Sequence, residues 1–474
     1  MNGKVDNLTG MTVISESGKK YILKGIIGNG SQGVVYDDES EKYVIKFYFP
    51  AESEMLDMER LERISFIKDI EIPKNFVAIK DVISEPYVGY VMEKVVDHKP
   101  LNYYLIPDRH KEFLEWYNEG FGLRERIIIG FIIAKAFSDL ESNNFSYCDI
   151  SGNNIMINAV KNASVRLIDV DNIYIAGRGN AAILGTPRYI APEVISRQKN
   201  PDVLSDNYSL AVILFELLRV GHPYISDEVL DGTPEMEDDA LAGKYPYVTE
   251  DNSTNMLPED VVFTDKLKEL FRRCFVDGQK NRIRRPSAFE FKKALLEASN
   301  SLVKCKGCGA WHYIVTDGED KGRCPWCGAE SSGDKKLIFY DVLFEGTDYK
   351  TSKGIKTKKQ VGSYILRAGK NYVKDYYILR YDDLTKAPRT TGNYFTVVNS
   401  SEGYMACNEF CKKGLMVCRT GAFNFVEIPD KKGLVLKTGD ELYFDIEGVG
   451  SIGVECGGTQ YSFVRMAKFV EVAE

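Results

Sequence analysis

The sequence has no hydrophobic run long enough to cross a bilayer. Its longest aliphatic stretch, residues 127–134, is far shorter than the about 20 residues that a membrane helix needs. The chain also starts without the apolar core of a secretory signal. We therefore expect neither membrane insertion nor export, and we predict that the aliphatic stretch lies in a buried helix.

An excess of positive charge is missing as well. Lys and Arg number 61 against 69 Asp and Glu, which gives a formal net charge of -8. This balance argues against a nucleic-acid-binding surface. The hydrophobic fraction of 44% and the charged fraction of 27% are typical of a soluble globular protein, and a length of 474 residues suggests roughly three domains.

The cysteines do not follow the pattern of an exported, disulfide-stabilised protein. Four of the ten form two Cys-x-x-Cys pairs, and the others are scattered along the chain. Because paired spacings of this kind are more typical of metal binding in a reducing compartment, we expect a cytoplasmic protein.

The segment 145–193 contains the side chains best suited to chemistry. Asp149 is followed by Asn154 five residues later, and Asp169 ends an apolar strand fifteen residues beyond that. Phosphoryl transfer requires a carboxylate near the attacking hydroxyl and oxygen ligands for Mg²⁺, and these side chains offer that set. With the run Gly-Thr-Pro-Arg-Tyr-Ile-Ala-Pro-Glu at 185–193, they resemble the catalytic loop, metal motif and activation-segment end of protein kinases.

The resemblance extends to the preceding sequence, where a Gly-x-Gly-x-x-Gly-x-Val motif can cover a nucleotide. The motif consists of Gly28, Gly30, Gly33 and Val35. Lys46 follows at the spacing of the kinase lysine that contacts phosphates. The resemblance thus implies an ATP site at the start of the chain.

Two further parts of the nucleotide site are implied by position. In the amphipathic segment 52–68, Glu62 fits best as the partner of the lysine, with Glu59 one turn earlier as the rival, although most glutamates on such a helix face solvent. In the segment 88–95, Met92 takes the gatekeeper position, and the backbone of Glu93 and Val95 is expected to bind adenine.

Other family positions follow in the second half of the resemblance. Asp206 matches the Asp that ties down the catalytic loop, and an N-terminal helix cap is the alternative role, compatible with the first. Arg285 is expected to pair with Glu193. Thr186 matches the Thr that contacts the catalytic Asp149 and positions the acceptor.

The chain departs from the family pattern near the reacting groups. Tyr147 and Cys148 replace His and Arg before the catalytic Asp, and Val170 and Asp171 replace Phe and Gly after the metal-binding Asp. Ser151 stands where Ser/Thr kinases have a Lys that neutralises the moving phosphate. Because losing one such contact costs a few kcal/mol, we expect slow transfer rather than none. A pseudokinase scaffold is the alternative.

The two Cys-x-x-Cys pairs predict a zinc ribbon. Cys305 and Cys308 are separated by fifteen residues from Cys324 and Cys327, and four thiolates in two knuckles form a closed tetrahedral Zn²⁺ site. A disulfide pair or a redox-active Cys-Pro-Trp-Cys are the alternatives. His312 is expected at the surface rather than as a ligand.

After the ribbon, short segments rich in aromatic and β-branched residues and punctuated by Gly and Asp predict many strands, including one at 376–379. A small β-sandwich is the natural packing. Residues 436–444 resemble part of a forkhead-associated domain, which binds phosphothreonine. However, no histidine follows His312, and no Gly-Arg is followed by the later Ser-x-x-His of that family, which argues against phosphopeptide binding.

These inferences predict an α+β chain with a bilobal protein-kinase fold, a zinc ribbon and a small all-β domain. The expected boundaries are 1–95 for the N-lobe, 96–300 for the C-lobe, 301–333 for the ribbon and 334–474 for the β-rich domain. The resemblance is to a bacterial branch of Ser/Thr kinases and implies ATP, Mg²⁺, structural Zn²⁺ and a protein substrate. By analogy with that branch, a metal-dependent phosphatase and a von Willebrand A-type protein are expected partners. A small-molecule kinase of related fold is a third interpretation, which the 185–193 run disfavours.

Overall fold

The computed structural model describes residues 6–471 apart from internal gaps. The gaps are residues 31, 160–162, 176–184, 250–251, 255, 315–321, 331–334, 353–354, 368, 375–392, 411–414, 421–423, 445–453 and 457. The chain forms two compact units, Met1–Leu296 and Glu297–Glu474. Ser31 of the glycine motif and the strand predicted at 376–379 lie outside the described residues. In the described part of the chain, no helix has the length and apolarity to cross a membrane.

The first unit begins with an antiparallel sheet and continues with short hairpins. Its strands are β1 Thr12–Ile14, β2 Lys20–Asn29, β3 Gly33–Asp38, β4 Tyr43–Tyr48, β5 Ile79–Ile83, β6 Gly89–Glu93, β7 Lys99–Pro100, β8 Phe145–Ser146, β9 Ile155–Asn158, β10 Ser164–Leu167 and β11 Tyr174–Ile175. The first sheet has the order β1-β2-β3-β4-β6-β5, while β10-β9-β7 and β11-β8 form smaller sheets.

Most helices of the first unit follow this sheet in sequence. They are α1 Glu54–Asp69, α2 Asn102–Leu105, α3 Phe113–Asn118, α4 Leu123–Glu141, α5 Pro192–Ile195, α6 Val203–Arg219, α7 Asp227–Leu230, α8 Pro234–Leu241, α9 Glu259–Val262, α10 Asp265–Arg272, α11 Gly278–Lys280 and α12 Ala288–Asn300, which runs past the end of the unit. Short 3₁₀ turns lie at Val170–Asn172 and Arg282–Arg284, and a π-helical turn lies at Arg273–Asp277.

The helical core centres on α4 and α6. The aliphatic stretch 127–134 lies in α4, and Ile127, Ile129 and Ile133 are fully buried there, as the sequence predicts. Helix α6 is buried along nearly its whole length. Strand β8 packs against both helices, and the loop between β8 and β9 carries Asp149 and Asn154.

The glycine motif forms the end of β2 and the start of β3. A Cβ atom at Gly33 would lie 2.0 Å from the carbonyl oxygen of Phe47 on β4, so only glycine allows the two strands to approach this closely. At the other end of the motif, a Cβ at Gly28 would meet the Val35 side chain at 3.6 Å, an ordinary contact distance. Gly33 is therefore required by strand packing.

The second unit consists mainly of strands in its described part. They are β12 Leu302–Lys304, β13 Trp311–Tyr313, β14 Lys335–Glu345, β15 Ile355–Leu366, β16 Gly369–Lys374, β17 Asn393–Ser400, β18 Gly403–Cys407, β19 Leu415–Cys418, β20 Phe425–Glu427, β21 Gly433–Val435, β22 Glu441–Phe444, β23 Val454–Cys456 and β24 Thr459–Glu471. Strands β12 and β13 pair as a hairpin. One sheet has the order β15-β14-β24-β22-β19-β20, with β23 also on β24, and another has the order β16-β17-β18-β21.

Side chains from both larger sheets of the second unit meet in one hydrophobic core. Phe339 on β14 and Phe469 on β24 contribute from one sheet, and Phe395 and Val397 on β17 contribute from the other. Apolar faces of two sheets that bury one another are the arrangement expected of a sandwich.

Candidate active site

The loop between β8 and β9, which is predicted to be catalytic, is held by a carboxylate from α6. Asp206 accepts hydrogen bonds from the backbone N–H groups of Tyr147 (2.5 Å) and Cys148 (3.0 Å), and it is 6% exposed. The predicted role of Asp206 is thereby confirmed. The alternative role as helix cap is taken by Asp202, whose side chain accepts from Ser205 N at 3.0 Å. Two buried backbone donors thus fix the loop just before Asp149.

Within this loop, Asp149 and Asn154 contact each other. Asn154 Nδ2 donates to Asp149 Oδ2 at 3.1 Å and to the Asp149 carbonyl oxygen at 3.0 Å. The other carboxylate oxygen, Oδ1, is buried and has no hydrogen-bond partner among the described residues. Burial, followed by the charge of Asp169, raises the pKa of Asp149. A buried oxygen without a partner is expected to accept a hydrogen bond from a ligand.

Asp169 follows β10 and has a left-handed backbone conformation, with φ 60° and ψ 51°. Such conformations are uncommon outside glycine and are found at functional sites, where Asp tolerates them better than most residues. The preceding residue, Ile168, donates its N–H to the Asn154 carbonyl oxygen at 3.0 Å. The predicted Mg²⁺ ligands Asn154 and Asp169 are therefore tied together through the backbone.

Lys46 on β4 forms ion pairs with the carboxylates that follow β10. Its Nζ lies 3.2 Å from Asp169 Oδ1 and 3.2 Å from Asp171 Oδ2, and the Lys46 side chain is 8% exposed. Although burial opposes ionisation, the charge of Lys46 and a hydrogen bond from Tyr48 hold the pKa of Asp171 below its ordinary value. Lys46 is thus directed at the proposed metal site.

The predicted pairing of Lys46 with Glu62 is not formed in this structure. Glu62 and its rival Glu59 are both exposed on α1, and neither appears among the ion pairs of the described residues. The reason is helical geometry: a step of one residue along a helix rotates the side-chain direction by about 100°, and Arg63 is half-buried where Glu62 is exposed. The sequence-based prediction that Glu62 is the partner of Lys46 is therefore wrong.

The residues predicted to contact adenine lie at the end of the first sheet. Met92 is buried on β6, where it pairs with Val44 on β4. Glu93, the last residue of β6, is exposed and pairs with Lys80 at 2.9 Å, while Val95 lies beyond the strand and is half-buried. Adenine recognition by these positions stays a prediction.

The end of the activation segment is anchored by a two-fold ion pair. Arg285 Nη1 and Nη2 donate to Glu193 Oε1 and Oε2 at 2.7 and 2.8 Å, which confirms the predicted pair. Thr186 is half-buried, and its carbonyl oxygen accepts from Tyr189 N at 2.9 Å. No bond from the Thr186 hydroxyl to Asp149 is found among the described contacts, so its role stays a prediction.

Sequence reasoning missed the buried side chains around Asp171. Tyr48 and Tyr90 both donate their hydroxyls to this carboxylate, Tyr90 at 3.1 Å. The sequence did contain a signal for Tyr48. Side chains alternate along a strand, so Tyr48 lies on the same face of β4 as Lys46, which precedes it by two residues. The cross-strand register of Lys46 with Tyr90 was not evident from the sequence.

The four cysteines of the predicted ribbon converge in the second unit. Their Sγ atoms all lie within 4.8 Å of one another, which suits a single tetrahedral ion. Although burial opposes ionisation, the N–H groups of Cys308 and Gly307 lower the pKa of Cys305 to about 6, which favours the thiolate that binds metal. His312 is fully buried on β13, which corrects the expectation of a surface residue, and it is not in the cluster.

Comparisons with known proteins agree with this geometry. The family model described as "Protein kinase domain" matches residues 21–294. The serine/threonine-protein kinase CLA4 of Candida albicans is 24% identical over 281 residues, covering 56% of this chain and 25% of that protein. The human serine/threonine-protein kinase D3 is 26% identical over 219 residues, covering 43% of this chain and 22% of its own length.

A shorter match reaches a higher identity. The "cGMP-dependent protein kinase, isozyme 2 forms cD5/T2" of Drosophila melanogaster is 34% identical over 98 residues, covering 20% of this chain and 10% of that protein. The chain therefore spans a tenth to a quarter of the length of these curated relatives. The family match, by contrast, extends over more than half of the chain and includes Lys46, Asp149 and Asp169. The chain belongs to the protein kinase domain family.

Proposed function

We propose that the protein transfers phosphate from ATP to Ser or Thr of a protein substrate in a Mg²⁺-dependent reaction. The observation that carries the proposal is Asp149 Oδ1, a buried carboxylate oxygen without a partner among the described residues, on a loop fixed by Asp206. This oxygen can accept the proton of an attacking hydroxyl. The serine/threonine kinase names of the relatives support the same substrate class.

The other polar side chains are proposed to bind the metal ion and the phosphates. Asn154 and Asp169 would hold Mg²⁺, which neutralises charge on the phosphates when bound. Lys46 would bind phosphate oxygens, and the motif of Gly28, Gly30 and Gly33 would cover them. The oxygen donors present, one amide and one carboxylate beside a buried lysine, fit such a group.

The second unit is proposed to regulate or recruit rather than to catalyse. Its cysteine cluster would hold structural Zn²⁺, and its strands would form a small all-β domain similar to forkhead-associated domains. We also propose a cytoplasmic protein of the bacterial branch. A metal-dependent phosphatase and a von Willebrand A-type protein as partners rest on family analogy alone.

A pseudokinase scaffold is the second candidate function. One observation favours it: Ser151 takes the position of the kinase lysine and is 2% exposed, so no cation from this position can approach the transferred phosphate. Losing one such contact slows transfer but does not remove the groups that carry it. The two functions differ in whether labelled phosphate reaches a protein.

Incubating the full chain with γ-labelled ATP, Mg²⁺ and casein tests the proposal. We expect slow labelling of Ser and Thr, reduced at least about 100-fold in Lys46→Met because that variant loses the phosphate-directed charge. Nucleotide binding is measured in parallel by calorimetry. Wild-type protein that binds Mg-ATP but labels no acceptor and not itself would contradict the kinase function and favour the scaffold.

Dephosphorylation is expected to leave the activity unchanged. In many kinases an Arg before the catalytic Asp is satisfied by an activation-loop phosphate, but here Cys148 takes that position. Between residues 170 and 192, hydroxyls occur only on Tyr174, Thr186 and Tyr189. Tyr189 is 4% exposed and donates to Asn102 Oδ1 at 3.3 Å, and a phosphate on Thr186 would add negative charge near Asp149.

The measurement is the labelling rate before and after exhaustive phosphatase treatment. Mass spectrometry of the same samples provides the control that phosphate has been removed. A large loss of activity, traced to a site between residues 170 and 192, would overturn this prediction.

A further inference from the structure

Helix α1 carries two arginines on the face that holds its buried isoleucines. Residues spaced by three and four lie on one face of a helix, and Arg60, Arg63, Ile64 and Ile67 share such a face. Ile64 and Ile67 are buried. The Arg60 guanidinium lies 5.5 Å from the centre of the Tyr48 ring, and it donates to the Phe49 carbonyl oxygen at 2.8 Å. The helix therefore brings positive charge toward the strand that carries Lys46.

Helix α1 also reaches Asp171, because it packs against the 3₁₀ turn Val170–Asn172 that carries this residue. After burial, which raises it, and the charge of Lys46, which lowers it, the charge of Arg63 also lowers the pKa of Asp171. Tyr48 donates its hydroxyl to Asp171 Oδ2. Asp171 also accepts from Lys46 Nζ and from Tyr90, and its side chain is 0% exposed. A buried carboxylate is tolerated only when it is paired and hydrogen-bonded, and these contacts supply both conditions.

The charged residues around Lys46 are distributed differently from those of a typical protein kinase. The familiar kinase arrangement places a glutamate on this helix and glycine two residues after the metal-binding Asp. Here the helix carries Arg63, and position 171 carries the carboxylate. Lys46 pairs with Asp169 and Asp171, and Arg63 lies on the helix that packs against the turn carrying Asp171, so two cations balance two anions. With the acid at Asp171 and a base at Arg63 on α1, the group of four charged residues has no net charge.

We infer that Asp171, and not a glutamate of α1, is the counter-ion that positions Lys46, and that Arg63 supplies the compensating charge from the helix. The inference deepens the proposed kinase function and rests on it for the effect on transfer. Asp171 is a positioning residue, because it acts through Lys46 and not on the substrate. Arg60 of α1 lies against the Tyr48 ring, and Tyr48 donates to Asp171, so α1 is linked to the phosphate-binding lysine through these two residues.

A double-mutant cycle tests the inference in the full chain. The variants are Asp171→Asn, Arg63→Glu and the double variant. Asp171→Asn keeps the shape but leaves Lys46 and Arg63 against one acid, whereas Arg63→Glu leaves three acids against one lysine. Each single variant is expected to lower the Tm of the nucleotide-free protein by about 5 °C or more and kcat/KM for ATP by about 100-fold. The double variant leaves Lys46 against two acids, Asp169 and the acid introduced on the helix, so its losses should be clearly smaller than the sum of the two single losses.

Arg60→Glu combined with Asp171→Asn is the matched control. It makes the same charge change on the same face of α1, one turn earlier, and should give no rescue. Arg60→Glu alone is measured beside it, because that change also removes the ion pair of Arg60 with Asp57. Equal rescue by Arg60→Glu, or additive losses in the Arg63→Glu and Asp171→Asn double variant, would overturn the inference. A loss in Glu62→Gln as large as that in Asp171→Asn would do the same.

The cycle remains informative when transfer is absent. If no protein in the series labels an acceptor, the proposed kinase function fails, but Tm and Mg-ATP affinity still report on the Lys46–Asp171 pair. Rescue of Tm in the double variant then upholds the pairing, and its absence refutes it.

Discussion

Replacing Asp149 with Asn is expected to lower kcat for protein phosphorylation by about 1,000-fold while leaving the affinity for Mg-ATP close to that of the wild type. A positioned general base typically contributes 10²- to 10⁴-fold. The substitution keeps the shape of the side chain, and Asn154 can still donate to the remaining carbonyl oxygen. The proton of the substrate hydroxyl, however, loses its acceptor. The measurement is steady-state labelling combined with nucleotide calorimetry.

Asp169→Asn provides the contrast, because this residue is proposed to bind Mg²⁺ rather than the acceptor. It should abolish Mg-dependent labelling and also weaken Mg-ATP binding. Asp265→Asn is the matched control, since that side chain is fully exposed at the start of α10. If wild type and Asp169→Asn label equally poorly with several metals while both bind nucleotide, the scaffold function replaces the kinase function.

Removing one knuckle of the cysteine cluster is expected to release one Zn²⁺ per chain. A double change of Cys305→Ser and Cys308→Ser leaves two thiolates, too few for the closed tetrahedral site. Structural zinc sites of this size contribute on the order of 10 kcal/mol to folding at neutral pH, and the hairpin of β12 and β13 is too small to form its own core. Loss of the ion should therefore unfold this segment.

Metal analysis of the purified protein and its variants provides the measurement. Wild type should contain close to one Zn²⁺, and the double variant almost none. Cys407→Ser with Cys418→Ser is the matched control, because both cysteines lie outside the cluster. If the wild-type protein contains no metal although its four thiols are reduced, the prediction of a zinc site is wrong.

Local motifs in the sequence predicted the parts of the site that depend on chain order. Asp206 was identified from its place at the start of a long apolar helix, and Arg285 from its place before the final helix. Both then form the predicted contacts, with the loop N–H groups and with Glu193. These residues are predictable because the partner of each lies in a distinctive motif: the loop before Asp149 for Asp206, and the Ala-Pro-Glu run for Arg285.

The surroundings of Lys46 were less accessible to the same reasoning. Helical periodicity gives the face of α1 only to within one residue, and a one-residue error exchanges Arg63 for Glu62. Asp171 was noted as a departure from the family, but its function depends on Tyr90, which is far away in sequence. Pairing between strands of the second unit likewise depends on contacts over long sequence separations, such as Leu337 opposite Phe469.

The hydrogen bonds from the catalytic loop to Asp206 have a consequence for heat inactivation. Asp206 lies in a helix that is buried along nearly its whole length, so loosening the loop would leave a buried carboxyl group without its two backbone donors. Local opening of the loop therefore carries the desolvation cost of an unpaired buried polar group, about 1–3 kcal/mol or more. We therefore expect catalytic activity and the folded state of this unit to be lost over the same range of temperature.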